Sequence, residues 1–190
     1  MDSEHKIVSS EAEELILVDA NDQETGFLSK AECHDGGGVL HRAFSLFLFN
    51  ADGELLLQQR SLTKRLWPGF WSNSCCSHPR RGESMAVATR RRLRDELNGE
   101  ASLQFVYKFA YQAEFGDSGS ENELCHVYLG NVDDRIKPND HEIERVRYVR
   151  PQVLAGEFAE SPGIFTPWFK MEWRTLLNEY PQELASYGQL

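Results

Sequence analysis

A thiol and an imidazole lie two residues apart at the end of a segment that is rich in tryptophan. Cys76 and His78 close the run Trp67-Pro68-Gly69-Phe70-Trp71-Ser72-Asn73-Ser74-Cys75-Cys76-Ser77-His78-Pro79. A proline and a glycine interrupt regular structure there, and the tryptophans can form apolar walls. A nearby metal makes a thiol titratable. The segment therefore predicts a proton-transfer group in an apolar pocket, next to a metal ligand.

Three histidines and two glutamates are candidates for that metal site. His34 and His41 are seven residues apart, and His78 lies far downstream. Glu121 and Glu123 begin a predicted strand, where residues two apart point to the same side. Three imidazoles and two carboxylates suit octahedral Mn²⁺, Fe²⁺ or Mg²⁺, and such a set can also bind Zn²⁺. The alternative is that all five are solvated surface groups, because their spacing is not that of a zinc finger.

Four basic residues are candidates for binding an anion, namely Lys30, Arg60, Lys64 and Arg92. Arg92 and Glu96 are four residues apart on a predicted helix and share one face. Glu96 could hold a Mg²⁺ ion that a diphosphate also binds. The alternative is an ordinary helix surface with salt bridges.

The tryptophans allow two interpretations. Packing in the core is the default for Trp67, Trp71 and Trp168. The functional interpretation is that a ring face stabilises a carbocation, by about 2 kcal/mol where water is excluded.

Composition limits the classes of function. The chain has 190 residues, of which 41% are hydrophobic, and we expect one catalytic domain, 1–190, with a flexible N-terminal segment, 1–14. The formal net charge of −10 disfavours nucleic-acid binding. No apolar run resembles a signal peptide or a membrane span.

The cysteine pattern indicates a reducing compartment. Adjacent Cys75 and Cys76 could hardly pair with each other, and no C-x₂-C repeat suggests a zinc ribbon. We therefore predict free thiols in the cytoplasm, with Cys33, Cys75 and Cys125 as small buried residues. We expect a monomer, with a dimer as the alternative.

The pattern of hydrophobic residues predicts a mixed sheet flanked by helices, which is an α/β or α+β sandwich. Predicted strands cover 15–18, 43–49, 55–57, 105–115, 124–129 and 145–149, and predicted helices cover 84–97 and 166–179. Ser84 is expected to cap the first helix, and an apolar stripe of Ala86, Leu93 and Leu97 to bury it. The alternating aromatic residues from Phe105 to Phe115 are expected to share one face of their strand.

At this point the chain resembles the type I isopentenyl diphosphate isomerases, which depend on metal and use no flavin. The resemblance runs from about residue 15 to the 166–179 helix. Its motifs are His34-x6-His41, Arg60-x3-Lys64, Trp67-Pro68-Gly69, Ser72-Asn73-Ser74-Cys75-Cys76-Ser77-His78-Pro79, Gly82-Glu83-Ser84, Arg92-x3-Glu96, Tyr111, Glu121-Asn122-Glu123 and Pro167-Trp168.

The resemblance implies roles for individual residues. It selects Cys76, two residues before the histidine, as catalytic, together with Glu123 and Tyr111. The implied metal ligands are His34, His41, His78, Glu121 and Glu123. Glu96 is implied to hold a second ion, Mg²⁺, together with the substrate diphosphate. Substrate binding is implied for Lys30, Arg60, Lys64, Arg92, Trp67 and Trp168.

The same family has the Nudix fold, and the chain carries a degenerate Nudix box. The pattern G-x5-E-x7-R-E-U-x-E-E reads here as Ser77-x5-Glu83-x7-Arg91-Arg92-Leu93-Arg94-Asp95-Glu96. Arg92 replaces a carboxylate that a hydrolase needs to bind the metal ions that activate water. This replacement favours holding a diphosphate intact over hydrolysing it.

The implied activity is the isomerisation of isopentenyl diphosphate to dimethylallyl diphosphate, for isoprenoid biosynthesis. The implied cofactors are Mn²⁺ or Mg²⁺ at the His/Glu site, with Zn²⁺ as an alternative, and a substrate-bound Mg²⁺. Two other classes are a Nudix-type hydrolase of a diphosphate-linked substrate and a binding module without catalysis.

Overall fold

The computed structural model of the chain describes residues 7–133 and 135–188. In chain order its strands are β1 Glu14–Val18, β2 Glu24–Ser29, β3 His41–Phe49, β4 Leu55–Arg60, β5 Trp71–Ser72, β6 Cys75–Ser77, β7 Ala101–Glu114, β8 Ser120–Val132 and β9 Ile143–Val149. The α-helices are α1 Lys30–His34, α2 Met85–Leu97, α3 Pro151–Glu160, α4 Pro167–Glu179 and α5 Pro181–Ala185. No helix within the described residues is long and apolar enough to cross a membrane.

One mixed sheet organises the described part of the chain. Strand β3 lies at its centre, parallel to β8 and antiparallel to β1, β4 and β6. Strand β7 continues the sheet beyond β8, and β9 pairs with β4. The parallel register sets His41 opposite Glu123. Two predicted metal ligands therefore become neighbours through strand pairing alone.

Apolar side chains cover the two faces of this sheet. One core cluster joins Phe47 and Leu57 to Phe169 and Trp173 of α4. A second cluster joins Phe44 and Leu56 to the buried side of α2. The predicted sandwich of a mixed sheet flanked by helices is confirmed, because each sheet face packs against its own helices.

The capping signals of α2 are confirmed. The backbone amide of Val87 donates to the Ser84 side chain, and Asn98 ends the helix in the left-handed conformation with φ 49°. The predicted apolar stripe is wrong at Ala86, which is exposed, whereas Ala88 is buried together with Leu93 and Leu97. The stripe starts two residues later because Ala86 lies in the first turn, on the solvent side.

The predicted aromatic face of β7 is wrong at its first member. Phe105 pairs with Tyr128 and Tyr107 pairs with Val127, so Val106 is an extra residue in the ladder. This β-bulge reverses the alternation, because one inserted residue moves the following side chains to the other face. Phe105 is accordingly exposed, while Tyr107 and Tyr111 are buried.

Several short elements lack a sequence signal strong enough to predict them. The stretch around Gly26 forms β2, which pairs with β1. Helix α1 follows at once, and Ser29 and Glu32 cap it reciprocally.

Of the predicted flexible segment 1–14, residues 1–6 lie outside the described residues. The carbonyl of Val8 accepts from Arg80 and Arg92.

Candidate active site

Five ligand residues reach one place from four elements. His34 ends α1, His41 begins β3, His78 follows β6, and Glu121 and Glu123 lie on β8. Their ligand atoms all lie within 4.8 Å of one another. The loop between the first two histidines is fixed to β8, since Ser120 and Asn122 donate to the carbonyls of Gly36 and Gly38. The structure therefore brings together all five residues that the sequence predicted.

Hydrogen bonds at the outer ring nitrogens orient two of the imidazoles. Nδ1 of His34 lies 2.6 Å from the carbonyl oxygen of Lys30, and Nδ1 of His41 lies 2.7 Å from that of Val39. A proton on Nδ1 satisfies each carbonyl and leaves Nε2 with a free lone pair. Both Nε2 atoms face the cluster, which is the arrangement that metal-binding histidines adopt.

An unpartnered ring nitrogen in the cluster also indicates a site for a divalent metal ion. Nε2 of His41 is buried, and no hydrogen-bond partner for it exists among the described residues. Its carboxylate neighbour, Oε1 of Glu123, is 3.8 Å away. A buried polar atom without a partner is costly, and an ion coordinated by the lone pair would satisfy it. Three nitrogens and two carboxylates therefore form a site that could hold a divalent metal.

Burial shifts the pKa values of the cluster in opposite directions. Burial raises the pKa of Glu123 well above its usual range, and the neighbouring Glu121 adds to this. Burial acts the same way on Glu121, but His34 outweighs it and lowers that pKa to about 2. Burial and the charge of His34 lower the pKa of His41 to about 4. Two buried carboxyls therefore cannot both ionise easily without a compensating cation.

Cys76 is held in a hydrogen-bonded niche beside this cluster. Its Sγ donates to Oδ1 of Asn73 at 2.7 Å and accepts from Nε1 of Trp168 at 3.3 Å. The amide of Asn73 is itself fixed, because its Nδ2 donates to the carbonyls of Leu46 and Cys75. Burial raises the pKa of the Cys76 thiol to about 12. Cys76 is thus a neutral thiol in this environment.

Cys75 points to the opposite side of the short strand β6. Its thiol is fully buried and packs in the core cluster beneath α2, with Sγ 3.4 Å from Oε1 of Glu96. Alternation along β6 explains the difference between the two adjacent cysteines. All four cysteines are free, and Cys33 and Cys125 are buried like Cys75.

Tyr111 and Trp168 connect the thiol side to the carboxylate side. The hydroxyl of Tyr111 donates to Oε2 of Glu123 at 2.6 Å. The ring centres of Tyr111 and Trp168 lie 6.2 Å apart, and the indole N–H of Trp168 donates to Sγ of Cys76. Both rings are buried. The two rings therefore line a slot that has the Cys76 thiol and the Glu123 carboxyl beside them.

The four predicted basic residues also line the space around this slot. Arg92 donates to Glu96 and Glu142, and Nζ of Lys64 also contacts Glu142. Arg60 donates to the carbonyls of residues 66 and 67, and its guanidinium lies 5.3 Å from the Trp168 ring centre. Lys30 pairs with Glu11 at 3.0 Å. We call these four basic residues, Lys30, Arg60, Lys64 and Arg92, the clamp.

Residues of both the His/Glu cluster and the clamp line one cavity of about 360 Å³. This volume is within the size range of small-molecule sites. Among the residues that line the cavity are Cys76, Tyr111, Glu123, Trp168 and all four residues of the clamp. Two predicted site residues lie behind its wall. Trp67 has φ 47° in the turn before Pro68, and its ring packs edge-on against Trp168. Glu96 is 2% exposed and bound to Arg92.

The sequence analysis missed some residues in and beside the site. Glu142 contacts two clamp residues, yet it sits in an unremarkable acidic stretch of the sequence. Ser72 links Thr166 to Trp168 through its hydroxyl. Glu172 is a fully buried carboxyl that accepts from Cys125, and burial raises its pKa to about 8. The position of Glu172 one turn after Trp168 was a signal that could have drawn attention to it.

The fold and a matching family model define a protein of the Nudix class. A family model described as NUDIX domain matches residues 39–169. The structure is similar to the crystal structure of DR0079 from Deinococcus radiodurans, with a TM-score of 0.69 and 24% identity over 85% of this chain and 98% of that chain. It also resembles the MutT protein from Methanosarcina mazei, with a TM-score of 0.61 and 17% identity over 74% and 95%. These likenesses concern the fold.

Three relatives narrow the class. Isopentenyl-diphosphate Delta-isomerase 1 of Photorhabdus laumondii is 39% identical over 91% of this chain and 99% of its own length. The isopentenyl-diphosphate Delta-isomerase of Serratia proteamaculans is 44% identical over 83% and 87%. That of Burkholderia multivorans is 41% identical over 83% and 89%. The chain belongs to the isopentenyl-diphosphate Delta-isomerase family.

Proposed function

We propose that the chain isomerises isopentenyl diphosphate to dimethylallyl diphosphate, a step of isoprenoid biosynthesis. The observation that carries this proposal is the one slot that Cys76, Glu123 and Trp168 line together. Isomerisation of an unactivated alkene needs one proton donor, one proton acceptor and protection from water between them. The slot offers a thiol, a carboxyl and an aromatic ring in these three places.

The reaction moves a double bond by two proton transfers. A proton adds to C4 of the alkene, the electron pair of the double bond forms the new C–H bond, and C3 becomes a tertiary cation. A proton then leaves C2, and its bonding pair forms the new double bond between C2 and C3. Cys76 and Glu123 are the two groups that we assign to these transfers, on opposite sides of the substrate. One proton enters and one leaves, so the composition of the substrate is unchanged.

The environment of Glu123 suits a group that exchanges protons. Tyr111 donates to its Oε2 at 2.6 Å, and the hydroxyl can pass or hold a proton there. His34, His41, His78, Glu121 and Glu123 would hold a divalent ion, Mn²⁺ or Mg²⁺, whose charge favours the ionised form of Glu123. Tyr111 is therefore assigned to tune and position Glu123.

Trp168 is assigned to the cation at C3. Its indole N–H is used by Cys76 and Ser72, so the ring plane is fixed. A fixed aromatic face stabilises a nearby cation by about 2 kcal/mol where water is excluded. Trp67 contributes indirectly, because its ring packs against that of Trp168 and keeps it in place.

The clamp supplies binding energy that the small hydrocarbon lacks. Lys30, Arg60, Lys64 and Arg92 line the cavity at one end, where a diphosphate would anchor the substrate. Binding at this end positions C2 and C4 between the two acid–base groups. A Mg²⁺ ion bound with the diphosphate near Glu96 belongs to the same proposal. We further propose a monomer in the cytoplasm, where the four free thiols stay reduced.

The alternative activity is hydrolysis of a diphosphate-linked substrate. One observation favours isomerisation over it. Arg92 takes the place of a carboxylate of the Nudix box, and it is bound to Glu96 and Glu142. A cation at this position binds the diphosphate and opposes the clustering of metal ions that hydrolysis needs.

Incubation with isopentenyl diphosphate and Mg²⁺ or Mn²⁺ tests the proposal. Proton NMR follows the allylic isomer, and a phosphate assay follows hydrolysis in the same sample. We expect the allylic isomer to accumulate with its diphosphate intact. Release of phosphate without the isomer would identify a hydrolase, and no change in the substrate would contradict both activities.

A further inference from the structure

A buried glutamate holds two of the four clamp residues together. Glu142 immediately precedes β9 and is 2% exposed. Its Oε2 accepts from Nη2 of Arg92 at 3.1 Å and contacts Nζ of Lys64. Its Oε1 accepts from the hydroxyl of Ser9 at 2.7 Å. The Glu142 carboxylate therefore occupies N–H groups of Arg92 and Lys64, two clamp residues that line the cavity.

The backbone around Glu142 keeps the carboxylate in this place. Its amide donates to the carbonyl of Asn139 at 2.9 Å, and its carbonyl accepts from the amide of Ser61 at 3.0 Å. Ser61 precedes Lys64 in the loop after β4, so glutamate and lysine are fastened at the backbone as well as at the side chains. Backbone hydrogen bonds therefore hold Glu142 in the position from which it contacts Lys64.

Glu142 places a negative charge next to basic residues that are proposed to bind an anion. Burial opposes ionisation of Glu142, but Lys64 and Arg92 outweigh it and lower its pKa to about 2. The carboxylate is therefore ionised at neutral pH. Its charge repels the diphosphate, and its oxygens use N–H donors that phosphate oxygens would otherwise accept from.

We infer that Glu142 is the resident counter-ion of the clamp, which competes with the diphosphate for Lys64 and Arg92 and limits its affinity so that the product is released. The inference rests on the proposed function and deepens it. Glu142 is a positioning residue in this scheme, because it acts on the substrate through the two basic residues.

The chemistry of the reaction explains why such a limit is useful. Substrate and product carry the same diphosphate, so every contact at the clamp stabilises both equally. Binding that is equal for all states lowers KM without raising kcat, and excess affinity delays release of the product. A resident carboxylate keeps the basic residues in position before binding and lowers the net gain when the diphosphate arrives.

Calorimetric titration with inorganic diphosphate in the presence of Mg²⁺ tests this inference. We expect the wild-type protein to bind it, Glu142→Gln to bind it roughly tenfold more tightly, and Glu142→Asp to bind with an intermediate Kd. The aspartate is one methylene shorter, so its charge lies farther from Lys64 and Arg92. Glu144→Gln removes the same charge from an exposed position two residues along, and its Kd should stay within about twofold of the wild type.

Steady-state kinetics separate competition from simple structural support. For Glu142→Gln we expect KM for isopentenyl diphosphate to fall about tenfold and kcat to fall with it, because release of the product becomes slower. A residue that only supports the clamp would give the opposite change, a higher KM and a weaker Kd. Glu142→Asp keeps a charged partner for both basic residues and decides the question if the glutamine variant does not fold.

The outcomes distinguish this inference from the proposed function. If wild-type protein binds no inorganic diphosphate at millimolar concentration, the clamp itself is wrong, and the inference fails with it. If the wild type binds but both Glu142 variants bind equally or more weakly, the clamp stands and the role of Glu142 as a competitor is wrong.

Discussion

The cluster of candidate metal ligands, His34, His41, His78, Glu121 and Glu123, borders the same cavity as the clamp. The charged and polar groups of the two regions are satisfied in different ways. In the cluster, buried Nε2 of His41 has no hydrogen-bond partner among the described residues, and two carboxyls crowd together. In the clamp, Arg92 and Lys64 are already bound to carboxylates. A cation would satisfy the cluster, whereas the clamp would have to exchange partners to bind an anion. This contrast predicts opposite responses to substitution.

Loss of a cluster ligand should have the largest effect. We expect His41→Ala to lose bound Mn²⁺ or Mg²⁺ and at least about 100-fold of the isomerase activity, because the buried Nε2 faces the other candidate ligands and has no hydrogen-bond partner among the described residues. Metal content by mass spectrometry and kcat measure both effects. His126→Ala is the control, since His126 pairs with Asp22 outside the cluster. Full metal content in His41→Ala would show that the cluster is not the metal site.

Removal of the indole between the two acid–base groups should come next. Trp168→Phe keeps an aromatic ring but loses the N–H that contacts Cys76 and Ser72. We expect kcat to fall by about 10- to 100-fold and KM to change less, because phenylalanine keeps an aromatic ring beside Arg60 of the clamp. Trp173→Phe, a core substitution on the same helix, should lower the melting temperature and keep kcat. An unchanged kcat for Trp168→Phe would contradict the assignment of this ring.

A clamp residue should act mainly on binding. Arg60 donates to backbone carbonyls and lines the cavity, so its charge is available to the diphosphate. For Arg60→Met we expect KM to rise by about tenfold and kcat to change less. Arg145→Met, at an exposed position on β9, should leave both constants unchanged. A loss confined to kcat would place Arg60 with the reacting groups and weaken the contrast between the two regions.

A smaller effect concerns stability rather than activity. Burial raises the pKa of Glu172 from its usual value near 4.5 to about 8. The folded protein therefore holds a proton that the unfolded chain has lost above about pH 4.5, so stability falls as the pH rises from about 4.5 to 8. Glu172→Gln cannot titrate, and we expect its melting temperature to depend less on pH across this range. Equal pH slopes for the two proteins would show that Glu172 is ionised in the fold.

The parts of the site that depend on short spacing could be predicted from the sequence. In Cys76-x-His78 and in Glu121-x-Glu123 one residue separates the pair, so the local extended geometry keeps both side chains on one side of the chain. The strand that carries the two glutamates, the cap at Ser84 and the sandwich of sheet and helices were predictable for similar reasons of pattern, whereas the short strand β6 was not predicted.

Features that depend on distant contacts could not be predicted. Glu142 joins the clamp only because β9 pairs with β4, which places it beside Lys64. The bulge at Val106 reverses the exposure of Phe105, and no residue type in that strand signals it. Trp67 was expected in the cavity, but its turn directs the ring behind Trp168. Tertiary packing decided each of these positions.

The adjacent cysteines offer the most direct test of the account. Cys76 contacts Asn73 and Trp168 at the cavity, whereas Cys75 is buried on the other side of β6. Isomerisation of isopentenyl diphosphate by Cys76→Ala and Cys75→Ala, measured by NMR with wild-type protein alongside, compares the two thiols directly. We predict that Cys76→Ala folds and loses at least about 10³-fold of the turnover, while Cys75→Ala stays active. Turnover near the wild-type rate in Cys76→Ala would contradict the account.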